Sequence, residues 1–215
     1  MDVYLKYIYY LLLLSGCFIL IIRYKQLDRL LHIFIPLYLF NIITQGLYDS
    51  LTQYKINTYP FYHFNQLISC FLLSLYYYSL LQKRVFYQRF VIIGFLVFIL
   101  YFLYHFIYSI SNLKTLDFSD FVVEGVFICV YVVFYLLELY NTNTHIILNK
   151  NPHFWISIGN LIFFSGCTLV MGFLNNLRKD YKELYHELVY INYFLNLLLY
   201  SFYIKAFLCP SEMKK

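Results

Sequence analysis

Apolar runs of about twenty residues alternate with short polar breaks along the whole chain. They cover residues 4–22, 30–48, 61–81, 90–108, 121–140, 154–174 and 188–208. As helices rising about 1.5 Å per residue, each is long enough to cross a ~30 Å hydrocarbon core. The connecting segments are short, so consecutive helices are expected to be antiparallel neighbours. The pattern predicts an all-α fold over residues 1–215, a single integral membrane domain of seven transmembrane helices. The second and seventh runs are the most polar, with Pro36, Asn41, Thr44 and Gln45 in one and Asn192 and Asn196 in the other. Both stay apolar enough to insert beside other helices.

Composition agrees with this class. The chain is 62% hydrophobic and 13% charged, whereas a soluble domain is nearer half apolar and about a quarter charged. The 26 Tyr and 23 Phe residues accompany a single alanine, Ala206. That bias fits codon usage and apolar helix filling better than a dedicated aromatic cage or belt. Cys17, Cys70, Cys129, Cys167 and Cys209 lie scattered in or at the ends of the apolar runs without a CxxC pair. They read as small buried thiols, not as a disulfide framework or zinc site. A net charge of +5 with no basic stripe excludes nucleic acid as a partner.

The first run, "YLKYIYYLLLLSGCFILII", is longer than the core of a signal peptide and is followed at once by Arg23 and Lys25. A retained first helix is expected. With the N-terminus outside, the inner segments carry Arg23, Lys25, Arg29, Lys83, Arg84, Arg89, Lys150, Lys205, Lys214 and Lys215. The outer segments carry Lys6, Lys55, Lys114, Arg178, Lys179 and Lys182. The excess of basic residues on one side predicts N-outside and C-cytoplasmic, in a bacterial inner membrane. In "NKNPHFW", Asn151 is a candidate N-cap, Pro152 the first helical residue and Trp155 an interfacial anchor.

In this orientation the outer half holds the polar side chains and the inner half is mostly apolar. Asp120 and Glu124 are four residues apart on the fifth span and share a face. Asn41 and Gln45 lie on the second span, His63 and Gln66 on the third, His105 near the outer end of the fourth and His186 at the mouth of the seventh. Ionisable groups at membrane depth usually face a bundle interior or a wet cavity. These eight residues are therefore the candidate lining of an outward-open pocket for a small polar or cationic ligand. The other reading places them at headgroup level, hydrogen-bonded across helices. No cofactor is predicted. A divalent metal is conceivable through His63, His105, His186 and Glu124, which come from four helices without any HxxxH or HExxH spacing.

No GxSxG, GxGxxG or P-loop is present, and the intramembrane serines occur singly. The chain therefore reads as a non-enzyme more readily than as an enzyme. In "SIGNLIFFSGCTLVMGF", Gly159 with Gly166, and Ser165 with Gly172, form two heptad-spaced small faces for close helix packing. A homodimer face is the other use of such a stripe. The middle of the last span has no lysine, which argues against a retinal protein.

The segments "YHFNQLISCFLLSLYYYSLL", "NPHFWISIGNLIFFSGC" and "YINYFLNLLLYSFYIKAFLC" together resemble the seven-helix membrane regions associated with bacterial sensor histidine kinases. That resemblance implies a sensor of a ligand or of membrane state. After Leu208 only "CPSEMKK" follows, so a separate cytoplasmic signalling partner is expected to receive the signal. A receptor-like or accessory signalling protein is the leading expectation. A small transporter or channel component and a metal-dependent membrane hydrolase are the alternatives.

Overall fold

In a computed structural model, the described residues are 2–54, 56, 58–82, 84–111, 118–141, 148–177 and 182–209. Side chains are described for all of these except 2, 3, 59, 108–111, 174–177 and 182–186. The helices are α1 (Asp2–Ile22), α2 (Phe34–Gln53), α3 (Tyr59–Leu80), α4 (Val85–Ser111), α5 (Ser119–Tyr140), α6 (Pro152–Leu177) and α7 (Lys182–Leu208). Short 3-10 turns occupy Tyr24–Gln26, Arg29–Ile33 and Leu148–Lys150, and there is no strand among the described residues.

The helix starts have local causes. Asp28 is extended and accepts a hydrogen bond from Leu30 N at 3.3 Å, which opens the 3-10 turn that leads into α2. This turn delays the regular helix to Phe34. Asn151 caps α6, its Oδ1 accepting from His153 N at 3.0 Å and Phe154 N at 3.4 Å, and Pro152 takes the first helical position.

Among the described residues, six helices contain segments long and apolar enough to cross a membrane, which is the build of a multi-pass membrane protein. Helix α3 is not among them. It carries His63, Asn65, Gln66, Ser69, Ser74 and five tyrosines within 22 residues, and these lower its hydropathy. Large apolar side chains remain exposed along the bundle, for example Ile93, Leu96, Leu100 and Ile107 on α4. Such a surface suits lipid rather than water.

Contacts between helix ends fix the direction of each helix. At one end, Lys6 of α1 pairs with Asp49 of α2 at 2.7 Å, and His63 of α3 and His105 of α4 both meet Asp120 of α5. At the other end, Arg23 after α1 donates to Phe207 O of α7 at 2.7 Å, and Tyr76 of α3 meets His153 of α6. Neighbours in sequence are thus antiparallel. The pairs α1–α2, α2–α3, α3–α5, α5–α6, α6–α7 and α7–α1 are all in contact, so six helices close a ring. Helix α4 lies outside it, against α3 and α5.

Helix α6 makes the closest approaches. A Cβ at Gly159 would lie 2.8 Å from Phe202 Cβ, and one at Gly166 would lie 2.8 Å from Leu195 Cδ1, so this small face seats α7. At the second predicted small face the described residues show no such approach. Ser165 is exposed and donates to Ile162 O of its own helix, and a Cβ at Gly172 would meet nothing within 4 Å.

Candidate functional site

The six-helix ring encloses a cavity of about 380 Å³ at the end where Lys6 and Asp49 meet. Every helix of the ring contributes to its wall, and among the described residues α4 contributes none. Amides supply much of the polar lining: Asn41 and Gln45 from α2, Asn65 and Gln66 from α3, Asn192 and Asn196 from α7. Aromatic rings, including Tyr62, Phe121, Phe164 and Tyr200, supply the rest. The amides are held in place. Asn65 Nδ2 donates to Asn41 Oδ1 at 3.2 Å and Thr44 Oγ1 donates to Asn65 Oδ1 at 3.2 Å. Asn196 Nδ2 donates to Asn192 O at 2.9 Å, and Cys167 Sγ donates to Asn192 Oδ1 at 3.2 Å.

Glu124 lines this cavity and is 2% exposed. Its Oε1 and both polar atoms of Gln66 are buried, and the Gln66 amide stands beside the carboxyl. Lys6 is the other charged residue among the described lining, and Asp49 neutralises it at 2.7 Å, with Tyr10 donating to the same carboxylate. Among the described residues, the cavity wall therefore has one acid that no neighbouring cation balances. Behind Glu124, α5 and α6 touch through Gly125, where a Cβ would collide with Thr168 Oγ1.

His63, His105 and Asp120 do not line the cavity. They converge where α3, α4 and α5 meet, 6%, 6% and 1% exposed. His63 Nδ1 lies 2.8 Å from Asp120 Oδ2, and His105 Nδ1 lies 3.1 Å from Asp120 Oδ1. The imidazole rings are set edge to face with centroids 5.9 Å apart, and Tyr101 stacks on His105. The predicted pocket residues thus divide into two groups. Asn41, Gln45, Gln66 and Glu124 share the cavity, while His63, His105 and Asp120 form a separate cluster. The side chain of His186 lies outside the described residues.

The opposite half is more polar than the sequence suggests. Asn160 is fully buried, donates to Tyr77 OH at 2.9 Å and accepts from Tyr203 OH. Tyr77 OH in turn lies 3.5 Å from Ser157 Oγ. Tyr203 also lines the cavity, so one side chain joins the pocket floor to this network. Nearer the helix ends, His153 Nε2 donates to Asp28 Oδ2 at 3.3 Å, and its Nδ1 lies 2.8 Å from Tyr76 OH. The hydrogen bond from His153 holds the Asp28 carboxyl down at about 2, against partial desolvation that pushes it up.

Sequence reasoning missed this second half because tyrosine in an apolar run reads as filler. Asn65 was also missed. The dense "YHFNQ" run carried its signal, since α3 has no wholly apolar face there.

No family model, curated protein or solved structure matches the chain.

Proposed function

We propose that this is a seven-span receptor-like or accessory signalling protein of a bacterial cytoplasmic membrane, whose outward pocket binds a small organic cation carrying an ammonium group. The observation that carries the reading is Glu124, a carboxyl at 2% exposure in a cavity walled by amides and aromatic rings. An ammonium group satisfies that wall. It pairs with the carboxyl, donates to the amide oxygens and sits favourably against ring faces. An anion would meet Glu124 as a like charge.

The basic residues support the direction. Arg23, Lys25, Arg29, Arg84 and Arg89 lie at the end away from the cavity, so an inward-positive chain opens its pocket outward. Helix α3 counts as the seventh span because its polar face lines the cavity rather than lipid. The link from Tyr203 through Asn160 to Tyr77 and Ser157 supports a signalling role, since it gives the pocket floor a mechanical connection to the inner half. The receiver is a cytoplasmic signalling partner.

Thermal unfolding of the purified protein in detergent, with millimolar choline, ethanolamine or acetate, tests the reading. Choline or ethanolamine raises the midpoint of the wild type and acetate does not. The shift disappears in Glu124→Gln. Equal shifts in both proteins, or none in either, would remove the ammonium pocket. Impermeant thiol labelling checks the orientation: Tyr54→Cys reacts from outside intact cells, and Tyr140→Cys reacts only after lysis.

A further inference from the structure

The ammonium reading does not use the histidine–aspartate cluster, which stands outside the cavity wall. Three helices bring one side chain each to it: His63 from the second turn of α3, His105 from the last two turns of α4 and Asp120 from the first turn of α5. Their donor atoms all lie within 4.8 Å of one another.

The spacing is that of ligands around one ion. Zinc binds imidazole nitrogen and carboxylate oxygen at about 2.0–2.2 Å in tetrahedral geometry, which sets neighbouring donors about 3.4 Å apart. His63 Nδ1 lies 2.8 Å from Asp120 Oδ2 and His105 Nδ1 lies 3.1 Å from Asp120 Oδ1, so the carboxylate presents one oxygen to each imidazole and the three ligands stand within reach of one ion. All three side chains are buried. Two ring contacts set the imidazoles, with Tyr101 parallel to His105 and Tyr62 edge-on to His63.

Charge points the same way. A carboxylate at 1% exposure among apolar helices is costly without a cation. The next ionisable residue along α5, Glu124, is another acid and adds to the demand.

We propose that His63, His105 and Asp120 bind a divalent transition-metal ion, Zn2+ by the donor chemistry. Two imidazoles with one carboxylate suit zinc and its neighbours, whereas Mg2+ and Ca2+ take oxygen ligands. The ion fastens α4 to the ring where α3 and α5 meet. Three protein donors leave at least one coordination position for water or a further ligand.

The test uses the whole protein in detergent, stripped with a chelator and titrated with ZnSO4 by calorimetry. Co2+ replaces Zn2+ in a parallel sample to report the donor set by visible absorption. Wild type takes up one Zn2+ per chain, its thermal midpoint rises with Zn2+ and not with Mg2+, and Co2+ gives a visible band. His105→Ala and Asp120→Asn weaken Zn2+ at least about tenfold. His153→Ala, which removes a histidine at the opposite end, binds as wild type does. Wild type that takes up no Zn2+ at micromolar concentration and shows no Co2+ band overturns the proposal without reference to any variant. Equal Zn2+ affinity in wild type and a folded His105→Ala overturns it too. Neither result touches the choline shift, which depends on the cavity.

Discussion

Asp120 and Glu124 stand one helical turn apart on α5 and serve different neighbours. Asp120 lies against His63 and His105 at the junction with α3 and α4, while Glu124 lines the cavity with Gln66. Their replacement by the matching amides should therefore differ. Asp120→Asn takes the acid from between two buried imidazoles and should destabilise the bundle by about 3 kcal/mol. Glu124→Gln keeps the shape and removes an acid from beside another, so it should stay within about 1 kcal/mol of wild type. Chemical unfolding in detergent micelles measures both. The reverse ranking would contradict this division of roles.

Asn160 is the node of the inner network, joined to both Tyr77 and Tyr203. Asn160→Leu leaves two buried phenols short of a partner, at a cost of about 1–3 kcal/mol for each group left unsatisfied. Partners found in the unfolded membrane state reduce that loss, so about 1–3 kcal/mol in total is expected. If the path through Tyr203 carries the signal, the variant still binds choline and loses its effect on the cytoplasmic partner. An Asn160→Leu protein as stable as wild type would show that the network holds nothing together.

Gly125 and Gly172 make a paired test of helix approach. At Gly125 a side chain would strike Thr168 Oγ1 and come within 3.4 Å of Phe164 O. Gly125→Leu should cost about 1–3 kcal/mol through overpacking between α5 and α6. At Gly172 a Cβ would meet nothing within 4 Å, so Gly172→Ala should change stability by no more than about 0.5 kcal/mol. Thermal unfolding of the two variants side by side distinguishes them.

Asp28 gives the pH dependence. Its carboxyl is depressed to about 2 from an ordinary value of 3.8, so its contribution to stability is present above pH 3.8 and lost as pH falls toward 2. The side chain is 54% exposed, so solvent screening limits that contribution to at most about 1 kcal/mol. Asp28→Asn should be less stable than wild type near neutral pH, and the gap should close between pH 3.8 and 2. A gap of constant size across this range would assign the effect to the helix cap instead of the charge.

Periodic apolar runs made the helices legible, because a bilayer imposes a minimum length that few other folds require. The start of α6 was legible for a local reason: Asn151 and Pro152 act on their own backbone. The site was legible only as a set of candidates. Spacing places Asp120 and Glu124 on one face, yet 100° of helical rotation per residue cannot say that a neighbouring α4 reaches one and the ring interior reaches the other. Which imidazoles meet Asp120 depends on contacts between α3, α4 and α5, whose sequence separation runs from 15 residues to 57. The inner tyrosines were lost in a composition rich in tyrosine. Their role comes from burial next to Asn160 and His153, which is a tertiary fact.

The most direct measurement is equilibrium binding of choline to wild type and Glu124→Gln by titration calorimetry in detergent. Saturable binding to the wild type, weakened at least about tenfold by the substitution, is the predicted result. Identical isotherms from two equally folded proteins would contradict it, and would leave Glu124 as a buried carboxyl that only holds the helices.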